Sequence, residues 1–217
     1  MGPKALRLNE LVSFLPSEEG SPERVLEWGL PRVAGRLVEL SASGSSASLT
    51  AVFGLVVDAQ QCGEPAVWVT LLESTFFPPD VFAGGVDLDG LPVVRARGPL
   101  AATRAALHLL RSGSFGLVVI DLGMNPKKSK VHHIPMPLQT KLVGLAQKHD
   151  TAVVVLTEKV RDTPSLGSLI SLRAETRRVD AHHQAMSYEV QLHILKDKRH
   201  GPGSVFREVC YGPDGLC

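Results

Sequence analysis

Short runs of consecutive apolar residues alternate along this chain with longer stretches whose apolar positions recur at helical spacing. Arg36–Leu40, Ala66–Leu72, Phe115–Ile120 and Ala152–Leu156 are compact apolar runs of the kind found in strands buried on both faces. Between them, Leu49–Gln61, Pro99–Ser112 and Thr140–Lys148 read as helices. The first two are closed by Gly63 and Gly113, residues suited to the left-handed turn that ends a helix. Strands that alternate with helices imply βαβ units and a mainly parallel sheet flanked by helices. From Ser168 onward the pattern changes. Ser168–Arg173 and Tyr188–Leu195 read as strands with no helix between them, which predicts an antiparallel edge or hairpin extension near the C-terminus.

The N-terminal stretch stands apart from this α/β pattern. Leu6–Leu15 is a short amphipathic helix stopped near Pro16, Ser17–Pro22 is a polar linker, and Ser21-Pro22-Glu23 is a further helix start. The organisation expected is therefore a helical appendage over residues 1–24 and an α/β core over 25–217.

Composition fits such a core. A chain of 217 residues that is 44% hydrophobic, with a mean hydropathy of +0.09, is large enough to bury one sizeable core. No window is apolar enough for a membrane helix, and Met1-Gly2-Pro3-Lys4 does not open a signal peptide, so a cytoplasmic location is expected. Cys62, Cys210 and Cys217 are odd in number and form no C-x-x-C pair, which argues against a disulfide framework or a zinc site and for reduced thiols. The formal charge of +1 is uneven: residues 1–120 carry 9 basic and 12 acidic side chains, residues 121–217 carry 14 and 10. Such polarity suits docking to a charged partner.

The turn after Arg36–Leu40 is the position of greatest chemical interest. A phosphate-binding loop of the form G-x-x-x-x-G-K-[ST] needs two glycines for close backbone approach, a lysine for the terminal phosphates and a hydroxyl for Mg²⁺. Here those positions read Ala42, Ala47, Ser48 and Leu49. Each alanine adds a β-carbon that opposes the geometry glycine permits, Ser48 brings no positive charge, and Leu49 cannot ligate a metal. On these residues alone, the segment is equally well read as a small-residue turn between a strand and a helix.

The surrounding motifs resemble the RecA recombinase core. Gly29-Leu30-Pro31 and Gly35-Arg36-Leu37-Val38-Glu39-Leu40 resemble its opening strand, Ser45-Ser46 the serine pair of its phosphate loop, and Gly85-Val86-Asp87-Leu88-Asp89-Gly90-Leu91 one of its linkers. Leu117-Val118-Val119-Ile120-Asp121 is similar to its Walker B strand, and Ile194-Leu195-Lys196-Asp197-Lys198 to a late basic strand end. The resemblance covers about residues 25–217, and the degenerate phosphate loop looks most like that of the ImuA family, RecA-like accessory factors of the bacterial translesion mutasome.

This resemblance implies a RecA-like fold and a set of remnant sites. Glu73 falls where the recombinases hold the glutamate that activates water, and Asp121 where they hold the aspartate that orients Mg²⁺. With the phosphate loop lost, both are vestigial, no cofactor is expected, and the chain is not expected to be an enzyme. Where the family carries a γ-phosphate-sensing glutamine, this chain has Glu158-Lys159-Val160-Arg161. The resemblance also implies a partner role for Lys196, Lys198 and Arg199, since recombinase lysines there reach a neighbouring protomer's ATP; the same stretch also reads as a charged turn into Gly201-Pro202-Gly203.

The two DNA-gripping loops of the recombinases are both short here. Lys127, Lys128 and Lys130 make the first basic, but no aromatic residue is interleaved for base stacking, so weak or no direct nucleic-acid binding is expected. His132-His133 and His182-His183 lack the carboxylate or cysteine spacing of a metal site and read as surface histidines. The function implied is a non-catalytic adaptor of SOS-type, damage-induced translesion synthesis. Its expected partners are RecA and an ImuB-like component of the error-prone polymerase, with nucleoid association on DNA damage. A divergent ATPase and a small DNA-binding module are the alternatives.

Overall fold

A computed structural model describes residues 28–42, 46–72, 78–122, 133–180 and 187–211. The expected helix Leu6–Leu15 and its linker lie outside the described residues, as do Glu73, Lys127, Lys128, Lys130, His132, His182-His183 and Cys217. The strands are β1 (Leu37–Ala42), β2 (Ala66–Leu71), β3 (Val93–Ala96), β4 (Leu117–Asp121), β5 (Ala152–Glu158), β6 (Leu172–Asp180), β7 (Ser187–Asp197) and β8 (Val205–Tyr211). They form one sheet in the order β3-β2-β4-β5-β1-β6-β7-β8. Every pairing from β3 to β6 is parallel, while β7 runs antiparallel to β6 and β8 antiparallel to β7.

The helices are α1 (Leu30–Val33), α2 (Ser48–Gln61), α3 (Pro78–Ala83), α4 (Pro99–Ser112) and α5 (Met136–His149). Strand alternation sends Val38, Leu40, Trp68, Val119 and Val154 to one face, where they pack on Val52, Leu55 and Val56 of α2. Leu37, Val69, Val118, Ile120 and Val155 take the other face, against Ala106 and Leu110 of α4 and Leu142 of α5. The sheet is therefore sandwiched, so its central strands are mostly apolar and the polar side chains they do carry, such as Glu39 and Ser41, are buried. Phe53 of α2 stacks on Trp68 with ring centroids 4.6 Å apart.

Helix ends agree with the sequence at Gly63 and Gly113, whose φ values of 75° and 68° are left-handed. Four differences have clear physical origins. Helix α5 begins at Met136 rather than Thr140, because Pro137 sits in the first turn, where the missing N–H is not needed. Strand β6 begins at Leu172 rather than Ser168 and runs on to Asp180. Its first expected residues instead form a turn in which Ile170 N–H donates to Gly167 O at 3.3 Å and Ser171 N–H to Leu37 O at 2.9 Å. Strands β3 and β8 were hidden in the sequence because both are sheet edges with charged or exposed side chains. Helices α1 and α3 are too short to leave a periodic signal.

Candidate functional site

In a parallel sheet of this kind, ligands bind beyond the carboxyl ends of the strands. The turn between β1 and α2 occupies that edge. Ala42 is the buried last residue of β1, Ala47 the buried N-cap of α2, and Ser48 the first residue of the helix. Ala47 has φ −116° and ψ 19°, and as the N-cap it makes no side-chain bond to the helix. Ser48, at the position the sequence was expected to share with the lysine of a phosphate loop, is buried, and its hydroxyl lies 2.6 Å from Thr176 Oγ1 on β6. The Ser48 backbone N–H donates to Ser46 Oγ at 3.2 Å. Both the side chain and the amide are thus engaged within the protein. Leu49 is 41% exposed and offers no oxygen to a metal.

Asp121 ends β4, directly beside Thr70 of β2, whose hydroxyl donates to Asp121 Oδ2 at 3.0 Å. Alternation along β4 puts Asp121 on the α2 side of the sheet, with Leu117 and Val119. Glu73 lies beyond the end of β2 and outside the described residues.

The neighbouring strand end is built differently. Glu39 sits inside the apolar run of β1, and its carboxylate is fully buried. It accepts from Lys159 Nζ at 3.0 Å, Thr157 Oγ1 at 2.9 Å and the Leu166 backbone N–H at 2.8 Å. Lys159 also donates to Pro164 O at 3.2 Å. Two buried charges persist only when paired and hydrogen-bonded, and here both conditions are met. Lys159 lies in the Glu158-Lys159-Val160-Arg161 segment set apart in the sequence.

That ion pair is one of several anchors on the loop between β5 and β6. Arg173, buried on β6, donates to Thr163 O, to Val160 O at 3.2 Å and to Ser41 Oγ at 3.3 Å. Gln139 of α5 donates to Leu166 O at 3.0 Å and to Ile134 O at 2.7 Å. Gly167 passes so close that a β-carbon there would run into the Gln139 amide. The loop is thus tied to β1 through Glu39, to β6 through Arg173 and to α5 through Gln139.

Lys196 and Lys198 are brought together: their ammonium groups reach Ser168 O on the same loop, at 3.4 and 2.7 Å. Burial, followed by the charge of Lys198, lowers the pKa of Lys196 below its ordinary value. Arg199 is exposed, and its backbone N–H donates to Asp197, the residue between the lysines, at 2.8 Å. That residue, Asp197, is the hub of the charged stretch. Its carboxylate is fully buried, accepting from Arg36 at 2.7 Å, Arg32 at 3.1 Å and the Arg199 N–H at 2.8 Å, with His200 Nδ1 3.2 Å away. Burial alone would push this carboxyl up. The Arg199 N–H, the Arg36 guanidinium and His200 outweigh that and hold its pKa at about 2. Arg32 in turn stacks over Phe206 of β8, 4.8 Å from the ring centre.

The sequence reading missed the Glu39–Lys159 pair, Arg173 and the Asp197 hub. Glu39 carried a usable signal, a charge inside an apolar strand that must find a partner. Asp197 carried none, since Arg32 and Arg36 are 165 and 161 residues away.

No protein-family model matches the chain. The chain is 27% identical over 210 residues to the protein RecA of Caulobacter vibrioides, covering 83% of this chain and 57% of that one. It is also 27% identical over 212 residues to RecA of Rubrobacter xylanophilus, covering 84% and 60%. A shorter stretch of 93 residues is 38% identical to RecA of Clavibacter michiganensis subsp. michiganensis, covering 43% and 25%. The chain thus spans little more than half the length of the curated relatives it matches. Similarity over most of the chain, with a mainly parallel sheet that ends in antiparallel strands, supports placing it in the RecA-like superfamily.

Proposed function

We propose that this chain is a non-catalytic RecA-like adaptor of damage-induced translesion mutagenesis, ImuA-like in character, that binds RecA and an ImuB-like polymerase component. The observation that carries the reading is Ser48. In the position a phosphate loop gives to its lysine stands a buried neutral hydroxyl, 2.6 Å from Thr176. A triphosphate brought there would meet no compensating cation and a backbone N–H already bonded to Ser46. The fixed loop after β5 adds support, because nucleotide-driven switching needs a segment with two arrangements.

Lys196 and Lys198 supply the RecA-facing surface in this proposal. They are cations at the rim of the sheet, held by a single carbonyl, and free to exchange it for phosphate oxygens of a neighbour's nucleotide. Affinity purification from DNA-damaged cells tests the reading, with RecA and an error-prone polymerase component expected to co-purify. The double variant Lys196→Ala/Lys198→Ala is expected to lose binding to RecA loaded with an ATP analogue. Binding that ignores both the nucleotide and the double variant would reject this surface, and saturable ATP hydrolysis would favour a divergent ATPase instead.

A further inference from the structure

The antiparallel extension leaves one surface without an explanation. Its inner face, through Val190, Leu192 and Ile194, packs on α2. Its outer face carries Val179, Val205 and Val209 at 38%, 41% and 56% exposure, and β8 is the edge strand of the sheet.

The hydrogen bonding of β8 fixes which of its groups face outward. Gly203, at φ 105°, donates to Ile194 O at 2.9 Å while Ile194 N–H donates to Ser204 O at 2.9 Å, which is a glycine bulge at the hairpin turn. From that register, Phe206, Glu208 and Cys210 bond to β7, whereas Val205, Arg207 and Val209 turn their N–H and C=O groups away from it. The same three residues hold the outer-face side chains. Among the described residues, the edge therefore offers an unpaired ladder whose side-chain row reads apolar, basic, apolar.

Charge decides what fits that row. Arg207 is 67% exposed and only 3.9 Å from Glu189, a loose contact. Glu175 is already taken by Arg177 at 3.0 Å. Around the row stand Arg161 and Arg177, whose charges, after burial, hold the neighbouring His193 below its ordinary pKa. A second copy of this chain fits poorly: full overlap of β8 with its two-fold mate centres on Glu208 and sets its carboxyl opposite its own copy. That carboxyl is already pushed up by burial.

We infer that β8 is a docking edge for an extended segment of a partner protein, added as a ninth strand, with an acidic side chain opposite Arg207 and apolar side chains opposite Val205 and Val209. This inference stands apart from the loss of nucleotide handling and from the lysine surface.

The test uses the full chain and two fluorescein-labelled synthetic peptides of alternating pattern, identical except for a central glutamate or a central lysine. Fluorescence anisotropy is expected to show the glutamate peptide binding at least tenfold more tightly. Arg207→Glu should reverse that preference. Val209→Pro removes an outward N–H without breaking a bond to β7, and should abolish binding of both peptides. If Val209→Pro unfolds, as read by circular dichroism, the charge reversal at Arg207 alone decides. Equal binding of the two peptides, no binding at millimolar peptide, or binding unchanged in Arg207→Glu would overturn the inference. So would sedimentation showing a dimer that Arg207→Glu or Val209→Pro dissolves, because the edge would then serve a second copy.

Discussion

Two strand ends lie side by side at the carboxyl edge of this sheet, and they use charge in opposite ways. After β1, the turn to α2 is uncharged: Ala42, Ala47 and Ser48 fill it, and its hydroxyls bond to one another and to Thr176. After β5, the loop to β6 is organised around buried charge, with Lys159 on Glu39 and Arg173 on two loop carbonyls. A nucleotide site needs the reverse, cations in the turn and mobility in the loop. The contrast separates two ways of closing a strand end: hydroxyls bonded to one another after β1, and paired buried charges after β5.

The largest effect expected from breaking this arrangement lies at Asp197. Asp197→Ala strands two buried guanidiniums, and removal of one partner of a buried charge set costs about 3–5 kcal/mol, read as a lower denaturant midpoint. The same group predicts acid sensitivity. Its pKa falls from an ordinary 3.8 to about 2 on folding, so its contribution is full above pH 4, drains as pH falls, and is gone below about 2. Denaturation curves across that range should show the loss in wild type and a smaller loss in Asp197→Asn.

The next effect is at the loop. Glu39→Gln leaves the Lys159 ammonium buried without its counter-charge, and a loss of about 3 kcal/mol is expected by chemical denaturation. The double variant Glu39→Leu/Lys159→Met removes both charges and should recover most of that stability. Hydrogen exchange should then show residues 160–168 opening more readily than in wild type, because Glu39 no longer accepts from the Leu166 N–H. Equal protection in the two proteins would remove the claim that this pair fixes the loop.

A smaller effect is expected in the uncharged turn. Ser48→Ala leaves Thr176 without its 2.6 Å partner and should destabilise by about 1 kcal/mol. A change much larger than this would mean that the turn carries a structural load comparable with the charged loop, and the comparison would lose its point.

What the sequence made legible follows the same division. Leu117-Val118-Val119-Ile120 and Ala152–Leu156 declared themselves as buried parallel strands, because a continuous apolar run in a short segment has few other uses. Gly63 and Gly113 marked helix ends through backbone geometry that only local sequence controls. The turn from Ala42 to Leu49 drew notice in the sequence because its residues are contiguous, whereas its packing on Thr176 did not show there. The charged anchors did not show either: Arg173 answers to carbonyls on a loop that precedes it, and Asp197 to arginines from the far end of the core. In the sequence Asp197 looked like one more charge in a basic turn. Edge strand β8 escaped for a related reason, since Val205, Arg207 and Val209 face outward and give no burial signal.

Whether the turn between β1 and α2 binds a nucleotide is measured most directly by thermal unfolding with Mg-ATP. A ligand present at a hundred times its Kd adds about 2.7 kcal/mol to the native state, a readily visible rise in Tm for a chain of this size. The prediction is an unchanged Tm at millimolar Mg-ATP, with no phosphate release above buffer. A dose-dependent rise in Tm, together with saturable hydrolysis that disappears in Asp121→Asn, would contradict it.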